Sequence, residues 1–199
     1  MGERGGMTKR VIALAGPIGA GKSTAAQYLA DRHGYERIRF AAPLKSMMRA
    51  FYASAGLDPV EIEARIEGGL KEAPDPVLLG RTPRRAMQTL GTEWGRNLIA
   101  PELWVHAWSG AARRAGLVVA EDCRFANEAA AVRELGGIVI GIECPWRPRP
   151  ADGHASEDGV EVDVTIANDK PGNPETMFRR LDEVLAEEVS GFRTAGSAA

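Results

Sequence analysis

The sequence contains few of the residues that cross-link secreted proteins or bind metals. Among 199 residues there are two cysteines, Cys123 and Cys144, and three histidines. Two cysteines make no disulfide framework and show no metal-ligand spacing, so we predict two reduced, buried thiols. No run of 18 apolar residues occurs, which argues against a membrane span, and the N-terminal MGERGGMTKR lacks an apolar signal core. These absences predict a cytoplasmic protein without a membrane partner.

Neither sign of charge is in large excess. Lysine and arginine number 25 against 27 aspartates and glutamates, which gives a net charge of −2. Proteins that coat nucleic acid are more often basic, so we expect small molecules as partners and no nucleic acid. The 44% of hydrophobic residues suffices for a core. We expect one domain over residues 8–190, with disordered tails at 1–7 and 191–199.

Short apolar runs alternate with amphipathic stretches. Buried strands are predicted at residues 9–15, 37–40, 116–122, 137–143 and 162–168. Helices are predicted at residues 22–33, 43–56, 58–69, 83–98, 102–115, 127–136 and 174–189, with a loop at 71–80. This alternation predicts an α/β fold in three layers, in which a parallel sheet is flanked by helices. Ligands of such folds bind beyond the carboxyl ends of the strands.

The stretch GPIGAGKS, residues 16–23, lies between the first predicted strand and the first predicted helix. It matches G-x-x-x-x-G-K-[ST], in which glycines let backbone N–H groups surround a phosphate at a helix N-terminus. Lys22 is expected to reach the β- and γ-phosphates of a nucleoside triphosphate, and the Ser23 hydroxyl to bind Mg²⁺. The full set expected at the ATP phosphates is Gly16, Gly19, Ala20, Gly21, Lys22, Ser23 and Thr24.

Two acidic residues follow the predicted strand 116–122. Glu121 and Asp122 could each hold the water shell of Mg²⁺, as carboxylates at this position do in other P-loop proteins. After them, Asn127 is the expected cap of the next helix. Further along, the polar loop 146–159 contains Arg147 and His154. We expect this loop to be a lid whose Arg147 closes over the phosphates, with an ordinary surface loop as the alternative.

The predicted helix 83–98 has two side-chain stripes. Thr82 is its expected N-cap. Fourfold spacing predicts a core-facing stripe of Ala86, Leu90, Trp94 and Leu98. The same spacing aligns Arg84, Gln88, Thr92 and Arg96. Because two arginines can clamp a phosphate and a glutamine amide can contact a base, this second stripe is a candidate acceptor site, with a solvated polar face as the alternative. Gly91 and Gly95 suggest the close approach of another group.

P-loop proteins include switches, motors and small-molecule kinases. Guanine-specific switches usually contain N-K-x-D, whereas this chain has N-D-K-P at 168–171. The length leaves little room for a motor, so a kinase for a small acceptor is the expected function. An acceptor such as dephospho-coenzyme A and a nucleotide-binding regulator without catalysis are the alternatives.

Five segments resemble the phage-type deoxynucleoside monophosphate kinases. They are FAAPLK (40–45), TPRRAMQTLGTEWGR (82–96), PELWV (101–105), DCRFANE (122–128) and HASE (154–157). The resemblance extends over roughly residues 9–185. It implies a P-loop NTPase core (8–40 and 116–190), an inserted helical acceptor lobe (41–115) and a lid. It also implies phosphoryl transfer from ATP to a deoxynucleoside monophosphate with Mg²⁺. A bacteriophage gene whose product acts in the host cytoplasm is implied as well, and whether the protein is a homodimer stays open.

The resemblance also implies roles for particular residues. It favours Asp122 over Glu121 for the metal, and places Arg124 and Glu128 in the same block near the phosphates. Together with the lid arginine, the expected catalytic residues are Lys22, Asp122, Arg124 and Arg147. The residues expected to contact the deoxynucleoside monophosphate are Phe40, Lys45, Arg84, Gln88, Thr92, Glu93, Arg96 and Trp104.

Overall fold

The chain folds into two units, of which the first contains the sheet. A computed structural model describes residues 11–146, 160–169 and 173–195, with the side chains of 187–195 left out. The first unit comprises the chain up to Arg39 and from Ala111 onward, and the second comprises Phe40–Gly110. Across the described ranges, none of the helices combines the length and apolar character that crossing a bilayer requires.

The strands of the first unit form one parallel sheet. In the described residues these strands are β1 (Val11–Ala15), β2 (Glu36–Arg37), β3 (Val118–Ala120), β4 (Ile138–Glu143) and β5 (Val164–Ala167). Their order is β2-β3-β1-β4-β5, and every neighbouring pair is parallel. All residues of β1 and β3 are buried, as expected for apolar strands covered on both faces. The predicted parallel sheet is confirmed, although β2 begins one residue earlier than predicted and is shorter.

Three helices of the first unit pack around this sheet. They are α1 (Lys22–His33), α6 (Ala126–Glu134) and α7 (Glu175–Ala195). The predicted bounds of α1 are confirmed, and Gly34 ends the helix with a φ of 74°. The Asn173 side chain accepts a hydrogen bond from the backbone N–H of Glu175, the first residue of α7, which begins one residue later than predicted.

The predicted cap of α6 is wrong. Helix α6 begins at Ala126, one residue before Asn127, with Phe125 at the N-cap position. The carboxylate of Glu128 instead accepts hydrogen bonds from the backbone N–H groups of Arg124 and Phe125. Because a buried carboxylate satisfies these donors more strongly than a neutral amide would, the helix starts where Glu128 can reach them.

The second unit is helical. Its helices are α2 (Ala42–Ser54), α3 (Pro59–Ile66), α4 (Pro83–Thr89), a π-helix (Leu90–Ile99) and α5 (Leu103–Arg114), whose last residues belong to the first unit. Two short 3₁₀ turns, Gly69–Glu72 and Pro76–Leu78, overlap the predicted loop of 71–80, which is otherwise irregular. The core consists of Leu44, Met48, Tyr52, Ile62, Ile66, Met87 and Trp104.

A buried carboxylate joins three segments of the second unit. Asp75 accepts hydrogen bonds from the Tyr52 hydroxyl at 2.8 Å, from Arg65 Nε at 2.9 Å and from the Val77 backbone at 2.9 Å. Burial and the contact with Asp75 raise the pKa of Tyr52, so this phenol remains a donor at neutral pH. The network links α2, α3 and the second 3₁₀ turn.

The segment predicted as one α-helix changes its hydrogen bonding at Leu90. Thr82 caps α4, as predicted, because its hydroxyl accepts from the Arg85 backbone at 3.1 Å. From Leu90 onward the chain is a π-helix, which has more residues per turn. The predicted core-facing stripe is confirmed only in its first half: Ala86 and Leu90 pack against the core, whereas Trp94 is 37% and Leu98 is 76% exposed. The residues that are buried instead are Pro83, Met87, Gly91 and Gly95.

Candidate active site

The glycine-rich loop after β1 has the geometry that a phosphate loop requires. Gly16 and Gly21 have φ angles of 132° and 104°, which L side chains rarely adopt. A Cβ at Gly16 would collide with the carbonyl oxygen of Ile142, and one at Gly21 would lie 2.7 Å from the Asn168 amide nitrogen. Gly21 is also the N-cap of α1 and has no side chain to cap it. The backbone N–H groups of the first turn can therefore donate to an anion.

The lysine of the loop lies over its backbone. Lys22 Nζ donates to the carbonyl oxygens of Gly16 and Pro17, both at 2.7 Å. The positive charge is thus at the loop itself, where the phosphates of a nucleotide would bind. Of the other expected ATP contacts, Gly19, Ser23 and Thr24 are exposed and Ala20 is buried.

Asn168, which follows β5, supports the loop from the side. Its amide nitrogen donates to the carbonyl oxygen of Ala20 at 2.9 Å. The backbone carbonyl oxygen of Asn168 accepts from the indole N–H of Trp146 at 2.8 Å. The asparagine of the N-D-K-P segment thus contacts the phosphate loop.

Glu121 lies at the centre of a cluster of charged residues beside Ser23. It is only 5% exposed, and its Oε2 accepts from Nε and Nη2 of Arg37 at 3.0 and 2.6 Å. Its Oε1 forms an ion pair with Arg39 and lies 3.5 Å from the Ser23 hydroxyl. No sequence motif predicts Arg37 and Arg39 as site residues. The signal for them was the R-I-R alternation, which places both side chains on one face of a strand end.

The other residues that follow β3 have different surroundings. Asp122 is half-buried and Arg124 is exposed, whereas Glu128 is buried and holds the start of α6. The described residues contain no cluster of three or more potential metal ligands of the His, Cys, Asp or Glu type. A Mg²⁺ ion bound with a nucleotide needs fewer, because phosphates and water complete its coordination. Ser23 is exposed and Asp122 is half-buried, so both side chains stay accessible to such an ion, whereas Glu121 already has two guanidinium partners.

The second unit contains the arginine stripe predicted for the acceptor. Arg84 pairs with Glu72, Arg96 donates to the Pro101 carbonyl at 3.3 Å, and Gln88 and Thr92 are exposed. Each of these four residues directly follows one of the four buried residues of the α4 and π-helix segment. The stripe therefore borders the buried face along its length, including the π-helix.

Two expected acceptor contacts are packing residues. Phe40 is 2% exposed and stacks on Trp108 with ring centroids 4.2 Å apart. Trp104 is buried, donates to the Gly91 carbonyl at 2.7 Å, and occupies the space that a Cβ on Gly95 would need. The group that approaches these two glycines is therefore Trp104. We correct the assignment of Phe40 and Trp104 from ligand contacts to packing.

The remaining expected acceptor residues form ion pairs. Lys45 Nζ lies 2.8 Å from a Glu67 carboxylate oxygen, and Glu93 pairs with Arg85 at 3.1 Å. Arg147 and most of the expected lid, including His154, lie outside the described residues.

Comparison with known proteins identifies the family. The family model for deoxynucleotide monophosphate kinases matches residues 81–173. A protein of Acanthamoeba polyphaga mimivirus, for which the activity of a deoxynucleotide monophosphate kinase has been proposed, is 35% identical over 179 residues. That match covers 80% of this chain and 89% of the mimivirus protein. The chain belongs to the deoxynucleotide monophosphate kinase family.

More distant relatives are also kinases. The cytidylate kinase of Thermotoga petrophila is 27% identical over 134 residues, which cover 65% of this chain and 58% of that protein. Among solved structures, the APS kinase of Mycobacterium tuberculosis has a TM-score of 0.39 at 12% identity and covers 90% of this chain and 98% of that one. Shikimate kinase from Acinetobacter baumannii has a TM-score of 0.41 at 16% identity, over 89% and 93%. The sheet order, and not these low scores, establishes the fold.

Family membership makes the chain a phosphotransferase with a nucleotide-binding P-loop fold. The region that matches the family model, residues 81–173, contains both the arginine stripe of the second unit and the Asp122–Glu128 segment of the first. It begins after the phosphate loop, so the family match and the loop geometry are independent observations on this kinase.

Proposed function

We propose that this kinase transfers the γ-phosphoryl group of ATP to the phosphate of a deoxynucleoside monophosphate. The observation that carries the proposal is the phosphate loop, with left-handed glycines and Lys22 folded over it, in a chain of this family. In the transfer, an oxygen of the acceptor phosphate attacks the γ-phosphorus and the bond to the β-phosphate oxygen breaks. A deoxynucleoside diphosphate and ADP result.

The residues of the first unit would bind the donor. The N–H groups of the loop and of the first turn of α1 would contact the β- and γ-phosphates, and Lys22 would stay with the charge as it moves to the leaving oxygen. Ser23 and Asp122 would hold Mg²⁺, which neutralises phosphate charge when bound. Arg124 is exposed near the same strand ends and would add positive charge there. Arg147 remains our candidate for a lid arginine.

The second unit would bind the acceptor. Gln88 and Thr92 present polar groups on the same flank of the helix as Arg84 and Arg96, which is suited to a base edge and an anion. Lys45 and Glu93 belong to the proposed site through the family resemblance. The structure supports a smaller contact set than the sequence suggested, because Phe40 and Trp104 are withdrawn.

We further propose that the chain forms a homodimer, that it is of bacteriophage origin and that it acts in the host cytoplasm. The mimivirus relative supports a viral origin. Light scattering on the purified chain measures the dimer: a mass of 43 kDa, twice the 21.3 kDa of the chain, is expected, and a monomer contradicts it.

Incubation with γ-labelled ATP and each deoxynucleoside monophosphate tests the transfer. Label is expected in a deoxynucleoside diphosphate. The variant Lys22→Ala is expected to lose roughly 100-fold or more of kcat with an unchanged melting temperature, because the ammonium group donates to carbonyls of the phosphate loop. ATP binding without any labelled product would favour the non-catalytic regulator. In a parallel incubation with dephospho-coenzyme A as the acceptor, labelled coenzyme A would favour the other kinase class.

A further inference from the structure

Beside the phosphate loop lies a charged cluster for which the proposed transfer gives no role. Its members are Arg37, Arg39 and Glu121, and the Ser23 hydroxyl lies next to it. The cluster combines two positive charges with one buried negative charge. Burying a carboxylate costs several kcal/mol before pairing, and a buried ion pair seldom stabilises a fold more than apolar residues would. This cost points to a function for the cluster.

Arg37 holds Glu121 in place. All three of its guanidinium nitrogens are engaged, with Nε and Nη2 on Oε2 of Glu121 and Nη1 on the side-chain oxygen of Gln27 at 2.6 Å. A guanidinium bound through both of its edges is fixed in orientation. The second carboxylate oxygen, Oε1, is thereby presented on the side of Arg39 and Ser23.

Arg39 and Ser23 meet at that one oxygen atom. Oε1 of Glu121 forms the ion pair with Arg39 and lies 3.5 Å from Ser23 Oγ. Two groups near a common atom are separated by at most about two hydrogen-bond lengths. The Arg39 guanidinium is therefore a near neighbour of the phosphate-loop serine, and its side chain remains 29% exposed.

We propose that Arg39 binds the phosphate of the acceptor nucleotide and that Glu121 is the residue that positions it. This rests on the proposed function, because in a phosphoryl transfer the acceptor phosphate must approach the γ-phosphate held at Ser23. Arg39 is also the last residue of the first unit before the chain enters Phe40–Gly110. A planar guanidinium matches two phosphate oxygens, and its charge offsets the repulsion between two phosphates. The site takes a phosphate monoester.

Binding measurements on the full-length chain test the role of Arg39. The ligands are the deoxynucleoside monophosphate that the wild type phosphorylates fastest, its deoxynucleoside without phosphate, and a non-hydrolysable ATP analogue. Arg39→Ala should lower the affinity for the monophosphate by about 10- to 100-fold, the usual range for a lost charged hydrogen bond. Affinity for the deoxynucleoside and for the ATP analogue should stay within about twofold, because neither loses a phosphate contact to Arg39.

Arg133→Ala is the matched control. Arg133 is likewise an ion-paired arginine of the first unit and is 34% exposed. It bonds Asp163 just before β5, at the amino-terminal ends of the strands, whereas the phosphate loop follows a carboxyl end. It should leave all three affinities unchanged. If Arg39→Ala does not fold, Arg39→Lys keeps the charge without the fork and should show a smaller loss for the monophosphate alone.

A double-variant cycle tests Glu121. If Glu121 acts by positioning Arg39, Glu121→Gln should lower the affinity for the monophosphate. Adding Glu121→Gln to Arg39→Ala should then cause no further loss of that affinity. Losses that add would overturn the positioning role. Unchanged monophosphate affinity in Arg39→Ala and Arg39→Lys, or an equal loss for the ATP analogue, would overturn the assignment to the acceptor. A wild type that phosphorylates no deoxynucleoside monophosphate would refute the proposed function itself, and this inference with it.

Discussion

At the scale of single residues, burial sets the chemistry of Cys123. Desolvation raises the pKa of this thiol well above its ordinary value of 9.0, and the nearby carboxylates of Glu128 and Asp122 raise it further. The described structure leaves both Cys123 and Cys144 as free, buried thiols, as the sequence predicted. A buried thiol with a raised pKa is a poor nucleophile at neutral pH.

The raised pKa of Cys123 predicts a pH dependence of stability. Below pH 9 the thiol is protonated in both folded and unfolded chains, so its full contribution is present. Above pH 9 only the unfolded chain releases the proton, so the free energy of unfolding falls, by about 1.4 kcal/mol at pH 10. Urea unfolding between pH 8 and pH 10 should show a steeper decline for the wild type than for Cys123→Ala. Equal slopes would mean that the thiol ionises in the folded protein.

Single residues also show which site features could be predicted from the sequence. The phosphate loop could, because its glycines, lysine and serine are contiguous and the required backbone depends on them directly. The Glu121 cluster could not, because Glu121 and Arg37 are 84 positions apart in the sequence. Only the pairing of β2 with β3 brings them together. Similarly, the cap of α6 depended on competition between Asn127 and Glu128, which the preference for asparagine alone does not decide.

At the scale of elements, the α4 and π-helix segment is the informative case. Fourfold spacing correctly predicted a helix there, and the Thr82 cap fixed its start. The spacing did not show which stripe is buried, since four stripes of the same period were present. Trp104 decides this, because its ring needs the space beside Gly95 and its N–H bonds the Gly91 carbonyl. That information lies in α5, outside the segment.

Gly95→Ala tests this packing. The added Cβ would lie 2.5 Å from the Trp104 ring, which is buried and cannot swing away, so the free energy of unfolding should fall by about 2 kcal/mol. Gly69→Ala is the control in the same unit, because a Cβ there meets nothing within 4 Å, and it should change stability by less than about 0.5 kcal/mol. Urea unfolding measures both; similar values for the two variants would contradict the account of the π-helix.

At the scale of the whole molecule, the alternation of apolar runs and amphipathic stretches was enough to predict the parallel sheet. It was sufficient because strands buried on both faces need continuous apolar runs, which are visible in the sequence. The division of the chain at Arg39 and Ala111 lies close to the predicted lobe of 41–115, but it depends on contacts and not on composition. The lobe itself has its own buried polar centre, Asp75, which no pattern indicated.

Asp75→Asn tests whether the second unit has a separate structural centre. Removing the charge beside Arg65 breaks a buried pair, so the unit should lose about 3 kcal/mol. Hydrogen exchange should quicken within residues 40–110, while affinity for ATP is retained. Glu63→Gln, in the exposed pair with Arg49, is the control and should cost less than about 1 kcal/mol. Faster exchange spread equally over the sheet would contradict this independence.

The most direct test of the central claim is a comparison of acceptors. Release of ADP from ATP and Mg²⁺ would be measured with each deoxynucleoside monophosphate, with each ribonucleoside monophosphate and with dephospho-coenzyme A. A deoxynucleoside monophosphate kinase should turn over one or more deoxynucleoside monophosphates and little of the ribonucleotides. Turnover with dephospho-coenzyme A alone, or with no acceptor at all, would contradict the central claim.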